Sequence, residues 1–431
     1  MNVLHKSRAF PGVPGGGWHV LGALLAALVL TLGGCTRGDT GIFADIEQEV
    51  KIRSNNLVDN TFIASMAASG DYFYAVAGTG LFRRPISGNA WRRVSPSNRE
   101  ASSVAVIKNG ATYEVYVILS SDGKNTTLQR AVEEVEGELS SWEVVLGSGS
   151  YLDDPVDGGK KLSRLTGVAA IDRSGDNSTP DTLLVTMRQE GDNKQRYLAV
   201  DPQKGDPQGR LHRFGEEDDE NVGDDLIPSS RPPGKAFVAG DYLWIARNSL
   251  WRIKLDDLEE DVYLTNIAAP LNLGAVEPVT HNDDTFLVAA TLTGGLYKSP
   301  NLPGSSTDPE NPEDWDADSW GSHFASRSRA FASLLWLPDR EILLAGTITS
   351  ENPTSRDRNG YYHARPNEDF DGVSWTSGRD ISRSYGSADL SSAAVTGLME
   401  LGGLVFALTD NHGLWSTSSY NTGTSPTWVW E

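Results

Sequence analysis

Sulfur is scarce in this sequence: one Cys and 4 Met stand among 431 residues. A single thiol excludes an intramolecular disulfide framework, Cys-based zinc sites and protein-ligated iron–sulfur clusters. Basic residues are short as well. Lys and Arg number 37 against 58 Asp and Glu, a formal net charge of −21. That balance argues against non-specific nucleic-acid binding, which depends on cations neutralising phosphates, so no nucleic-acid partner is expected. None of the 7 histidines falls in an HExxH or similar ligand spacing. A Walker loop, a dinucleotide fingerprint and a Gly-x-Ser-x-Gly elbow are also missing. Long helical patterns are few, and 44 Gly with 21 Pro supply many turns. One apolar run stands out, and it is short.

That run is Val20 to Leu32 (VLGALLAALVLTL), preceded by Lys6 and Arg8. It falls below the ~20 residues that a spanning helix needs. It fits instead the apolar region of an export signal behind a positive N-terminal region. The run ends in Leu32-Gly33-Gly34-Cys35, an aliphatic residue, two small residues and the sole Cys of the chain. This resembles the lipobox of bacterial lipoproteins. The resemblance implies a signal peptide over residues 1–34 and a diacylglyceryl thioether, with further acylation of the palmitate type, on Cys35. A tether over 35–60 and a folded body over 61–431 would follow. Two or three acyl chains anchor stably where one is marginal. The lipid bilayer is then a partner through Cys35. The expected location is extracytoplasmic, on a bacterial cell membrane or outer membrane.

The body is repetitive. Tyr72–Arg84 (YFYAVAGTGLFRR), Tyr242–Ile253 (YLWIARNSLWRI), Thr285–Ser299 and Leu404–Ser418 share one pattern. An alternating apolar strand, a Gly/Asn/Asp turn and a second strand opening on an aromatic residue read as a β-hairpin. Glu341–Arg365 makes a fifth copy around a long polar loop. Tyr113–Ala131 and Asp181–Val200 keep the hairpin but lose the Gly-aromatic step. A short apolar strand rich in Ala, Val, Ser and Gly precedes each hairpin, as at Phe62, Ser103 and Ala330. A strand bearing Trp or another aromatic often follows, as at Trp91, Trp142, Trp320, Trp375 and Trp428.

Four strands repeated seven times, about one unit per 57 residues, predict an all-β fold: a seven-bladed β-propeller of four-stranded antiparallel blades. A pair of sandwich domains is the alternative. Ile46–Ile52 is expected to pack against or extend the last blade as the ring closes.

The hairpins resemble those of the bacterial sialidase-repeat and photosystem assembly-factor propellers. That class implies a binding scaffold or assembly factor and, in a minority, a glycosidase or lyase. Phe82-Arg83-Arg84-Pro85 fits the Phe/Tyr-Arg-x-Pro motif whose Arg binds the substrate carboxylate in sialidases. It also falls at the repeat position of Leu250-Trp251-Arg252 and Leu296-Tyr297-Lys298, which reads as an ordinary blade strand. Gly372-Val373-Ser374-Trp375 keeps the second half of an Asp-box. Phe370 holds the expected Asp position, flanked by Asp369 and Asp371. Asp172, Asp176 and Asp181 resemble a calcium loop of integrin-type propellers, since alternating carboxylates around a Gly suit a hard cation. A hairpin loop rich in turn formers is the plainer reading. Glu216–Glu220 and residues 301–318 read as solvated acidic loops. His363 and His412 fall in equivalent neighbourhoods of the last two hairpins.

The expected function is a non-catalytic scaffold in the cell envelope that binds a protein or a glycan. No cofactor is expected beyond a possible Ca²⁺. The alternative is a sialidase-like hydrolase or lyase, which requires Arg83 on the channel face beside another Arg and a Glu.

Overall fold

Alternation becomes strand at every one of the repeated hairpins. In the computed structural model the described residues are Leu57 and the stretch 61–431, apart from 148–161, 173–181, 190–194, 201–210, 213–234, 257–264, 268–272, 300–329, 349–359, 378–389 and several turn residues. Among the described residues the helical elements are two short 3-10 turns, Pro338–Arg340 and Ser419–Thr422. Residues 55–431 form one compact unit.

Consecutive strands build each sheet in simple antiparallel order. The first sheet holds β1 (Ile63–Ala68), β2 (Tyr72–Ala77), β3 (Gly80–Pro85) and β4 (Arg92–Arg93). The second holds β5 (Glu100–Asn109), β6 (Thr112–Ser120), β7 (Thr126–Val132) and β8 (Glu143–Gly147). The third holds β9 (Leu162–Ile171), β10 (Thr182–Gln189), β11 (Gln195–Val200) and β12 (Leu211–His212). The fourth holds β13 (Ala236–Ala239), β14 (Tyr242–Ala246), β15 (Leu250–Lys254) and β16 (Thr265–Ile267). The fifth has three strands, β17 (Leu273–His281), β18 (Asp284–Thr291) and β19 (Leu296–Lys298). The sixth holds β20 (Ala330–Leu337), β21 (Ile342–Ile348), β22 (Tyr361–Pro366) and β23 (Val373–Ser377). The seventh holds β24 (Val395–Leu401), β25 (Leu404–Thr409), β26 (Leu414–Thr417) and β27 (Val429–Trp430).

Four strands in all seven units was the expectation, and among the described residues six sheets have them. The strand expected at Trp320 lies outside the described residues. First strands touch one another in succession: β1 meets β5, β5 meets β9, β9 meets β13, β17 meets β20 and β20 meets β24. β14 meets β17, and β24 returns to β1. A separate hydrophobic cluster fills each gap between successive sheets. This is a β-propeller arrangement rather than paired sandwiches. A lone four-stranded sheet leaves its faces wet, and packing sheets face to face around an axis buries them.

Register explains the repeat. Phe82, Trp251, Tyr297, Tyr362 and Trp415 sit at one position, opposite Ala75, Ile245, Ala289, Ala345 and Ala407. The next residue along, Arg83, Arg252, Lys298 and His363, is cationic or imidazole in four of these sheets and Ser416 in the last. His363 and His412 are therefore not equivalent. His363 shares its position with Ser416, and His412 precedes β26.

A β-bulge recurs on the first strand of six sheets, at 63/65, 101/103, 165/167, 273/275, 331/333 and 395/397. Three of these positions hold Ser, and each Ser reaches the next sheet. Ser65 Oγ accepts from Val104 N at 2.9 Å. Ser103 Oγ accepts from Val168 N at 3.1 Å and donates to Val168 O at 3.0 Å. Ser333 Oγ donates to Val395 O at 3.1 Å. The bulge frees a hydroxyl from its own ladder and turns it sideways. Glycine serves the same crowded ring: a Cβ on Gly274 would stand 1.8 Å from Phe331 O.

The seventh sheet meets the first through Leu57, Phe73 and Phe406 among other apolar residues. Glu431, just past β27, binds Arg84 and Trp91 of the first sheet. Ile46–Ile52 lies outside the described residues.

Candidate functional site

A groove of about 570 Å³ opens between the first two sheets. Two hairpin turns and two strand ends make it. The β1–β2 turn supplies Gly70 and Asp71, and Tyr72 opens β2. The β5–β6 turn supplies Ala111, with Thr112 and Tyr113 opening β6. Pro85, Ile86 and Ser87 come from the end of β3, and Glu133 and Glu134 follow β7. Backbone bonds fix both halves alike: Ile86 N donates to Asp71 O at 2.8 Å, and Glu133 N to Tyr113 O at 2.9 Å. The Tyr113 ring lies against Gly70, where a Cβ would come within 2.9 Å of its hydroxyl. A side chain at residue 70 would require the Tyr113 ring to shift.

Glu133 forms the buried wall. Its Oε1 accepts from Ser69 Oγ at 3.0 Å and from Tyr74 OH at 2.5 Å. Burial, with the Glu133 bond next in weight, pushes the Tyr74 phenol far above its ordinary pKa, so it remains a donor. Asp71 and Glu134 are exposed on the rim.

Arg83 is on the third strand of its sheet, 3% exposed, away from the first strands that meet around the axis. Its guanidinium lies 4.4 Å from the Tyr72 ring centre and 3.9 Å from Glu138. Arg252 covers Tyr242 at 4.5 Å in the same way. The stretch 82–85 is therefore a repeat position whose Arg makes a cation–π contact with the neighbouring strand of its own sheet. The hydrolase alternative needed it on the channel face.

The Asp-box remnant also has a structural explanation. Residues 367–372 turn between β22 and β23, with Asn367 N donating to Gly372 O at 2.9 Å and Gly372 N to Asn367 Oδ1 at 3.1 Å. Asn367 ties the turn. Phe370, at φ 56°, plugs the gap to the fifth sheet, stacked on His281 and Phe286 at centroid distances of 4.7 and 5.0 Å. Asp369 and Asp371 are exposed.

Cys35 lies outside the described residues. Asp172 follows β9, while Asp176 and Asp181 lie outside, as do Glu216–Glu220 and 301–318. Among the described residues no three His, Cys, Asp or Glu side chains gather as a metal site, and no helix is long and apolar enough to cross a membrane.

Sequence reasoning missed Glu133 and Tyr113. The available signal was indirect: a turn beginning Ser69-Gly70 and a Tyr opening the second strand of both the first and second hairpins.

No protein-family model matches the chain, and no curated protein matches it. Among solved structures it is similar to "YCF48 bound to D1 peptide" at 12% identity and TM-score 0.44, over 83% of this chain and 92% of that one. It is similar to the Niastella koreensis GH74 enzyme at 13% identity and TM-score 0.42, over 83% of this chain and 43% of that one. It is also similar to the extracellular domain of the putative one component system BT4673 from B. thetaiotaomicron. There the identity is 14% and the TM-score 0.46, over 85% of this chain and 41% of that one.

Proposed function

We propose that this chain is a lipid-anchored extracytoplasmic scaffold, a propeller of seven blades held to a bacterial membrane through acylated Cys35, that binds an envelope protein. The observation that carries the binding half is the groove between the first two sheets. Its walls are tyrosines, Pro85 and Ile86, and carboxylates sit at its base and rim. Concave sites with apolar walls and a few placed polar groups are where such folds bind partners. Hairpin turns fixed on a packed ring keep that shape without a partner present. The negative wall favours a protein bearing basic side chains over a neutral glycan. The anchor half rests on Leu32-Gly33-Gly34-Cys35 and the apolar run before it.

Acyl labelling tests the anchor. Cells fed an alkynyl fatty acid should label the wild-type chain, which should fractionate with membranes. The Cys35→Ala variant should carry no label. A labelled Cys35→Ala chain, or an unlabelled wild type, would overturn the anchor.

A further inference from the structure

We infer that the groove between the first two sheets is a receptor for one Arg or Lys side chain, presented by an extended segment of the partner protein, with Glu133 as its counter-ion. This rests on the scaffold reading and names what the scaffold's groove recognises.

The inference starts from a comparison within the molecule. Four glutamates are buried among the described residues: Glu114, Glu133, Glu277 and Glu431. Buried carboxylates are normally paired, because an uncompensated charge out of water is costly. Three follow the rule with a cation of the chain itself. Glu114 has Arg130 at 3.7 Å, Glu431 has Arg84 at 3.2 Å, and Glu277 is held by Lys235. Glu133 is the exception. It is held by the two hydroxyls of Ser69 and Tyr74, and no cation among the described residues is ion-paired with it.

The contrast is sharpest between the first two interfaces, because the same position is used in both. Tyr116 stands to Arg130 in β6–β7 as Tyr74 stands to Arg83 in β2–β3. Tyr116 donates to Glu114, and Arg130 neutralises that glutamate. Tyr74 donates to Glu133, and Arg83, though it stands beside the Tyr74 hydroxyl, is stacked on Tyr72 and lies 3.9 Å from Glu138 with no ion pair to Glu133. The difference between the two interfaces is that Arg130 pairs directly with its glutamate, whereas Glu133 has hydroxyl partners and no direct ion pair among the described residues.

Geometry says where a cation for Glu133 would come from. Both hydroxyl bonds converge on Oε1, so Oε2 keeps its acceptor capacity. Glu133 lines the groove, as do Tyr72 and Tyr113. A guanidinium against a tyrosine ring is an arrangement this fold already uses twice, at Arg83 and Arg252. Pro85 and Ile86 offer apolar surface for an aliphatic stem, since long basic side chains bury the stem and keep the charge at a polar end. Asp71 and Glu134 on the rim add attraction of the same sign, and the net charge of −21 steers cations toward the protein. A free polyamine shares the ammonium chemistry. The apolar walls leading away from Glu133 favour a side chain on a peptide.

The test uses the full-length chain in detergent and a fluorescent pentapeptide, Gly-Gly-Arg-Gly-Gly, with its citrulline counterpart and spermidine as comparison probes. Citrulline keeps the shape and removes the charge. The Arg peptide should bind at least tenfold more tightly than the citrulline peptide, and spermidine more weakly than the Arg peptide. Glu133→Gln, which keeps an acceptor for Tyr74 and Ser69, should abolish the Arg preference. Tyr113→Ala should weaken Arg-peptide binding several-fold. Tyr74→Phe, which frees Oε1, should retain the preference and shows that a change near Glu133 is not by itself disruptive. Equal binding of the two peptides, no binding at millimolar concentration, or an unchanged preference in Glu133→Gln would overturn the proposal. Spermidine binding as tightly as the Arg peptide would overturn the peptide assignment. If an envelope partner is still captured at wild-type yield by Glu133→Gln, the cation receptor fails while the scaffold reading stands.

Discussion

Arg84 and Glu431 lie 347 residues apart in the chain, yet Arg84 Nε stands 3.2 Å from a Glu431 carboxylate oxygen. Both are buried, and the pair joins the seventh sheet to the first. Trp91 Nε1 donates to the same carboxylate at 3.2 Å, and Ser416 donates to its other oxygen. Burial pulls the Arg84 pKa down, and the Glu431 charge works against that pull. Phe73 and Trp91 flank the guanidinium at 4.9 and 5.4 Å.

Removing one member of a buried pair strands the other. Glu431→Gln should lower the stability to chemical denaturant by about 3–5 kcal/mol. The solvent-exposed pair of Arg92 and Glu138 supplies the control, and Arg92→Gln should leave the denaturation midpoint unchanged. Equal effects from the two variants would contradict the role given to Glu431.

The bulge serines stitch first strand to first strand. Ser103→Ala removes two hydrogen bonds to Val168 and leaves both Val168 backbone groups without that partner. A loss of about 1–3 kcal/mol is expected by the same denaturation measurement. No change would mean that the hydroxyl is incidental to the packing.

Gly274 allows β17 to approach β20. Alanine there would place its Cβ 1.8 Å from Phe331 O, a backbone atom that a rotamer change cannot move. Gly274→Ala should cost about 3 kcal/mol, the upper end of the overpacking range. Gly110→Ala, where the space is open but φ is +60°, should cost less.

His363 sits among Tyr361, Tyr420 and Trp428 between the sixth and seventh sheets, with its Nε2 2.7 Å from the Tyr420 hydroxyl. Burial, and secondarily the Arg365 charge, lower its pKa from 6.5 to about 4. Burial likewise pushes Tyr361 up to about 12. A His whose folded pKa is depressed takes up protons more readily when unfolded. Its contribution is therefore fully present above pH 6.5 and is lost as pH falls toward 4, by at most about 3 kcal/mol. Stability measured across that window should fall in the wild type and fall less in His363→Gln. Parallel profiles would contradict the assignment.

The sequence carried the hairpins openly, because period-2 alternation and the recurrent aromatic at Phe82, Trp251, Tyr297, Tyr362 and Trp415 are local signals. The bulges were hidden. Ser65, Ser103 and Ser333 look like ordinary small residues until register sets them against the next sheet. Glu133 was hidden for the same reason: its partners Tyr74 and Ser69 lie 59 and 64 residues away. Phe370 occupied an expected Asp position because the turn is tied by Asn367, three residues earlier. The resemblance of 82–85 to a substrate-binding motif dissolved once Arg252 proved to make the same contact. Short motifs inside a repeat inherit the repeat's structural duty, and only the position in the ring tells the two apart.

The central claim is that a lipid-anchored scaffold holds an envelope protein through the first groove. The direct measurement is capture of the tagged full-length chain from its own membranes after mild cross-linking, with proteins quantified by mass spectrometry. Wild type, Cys35→Ala and Tyr113→Ala would be compared. The account predicts one envelope protein recovered in near-stoichiometric amount with the wild type, lost with Cys35→Ala and reduced several-fold with Tyr113→Ala. A partner recovered equally from all three, or nothing above the Cys35→Ala level, would contradict it.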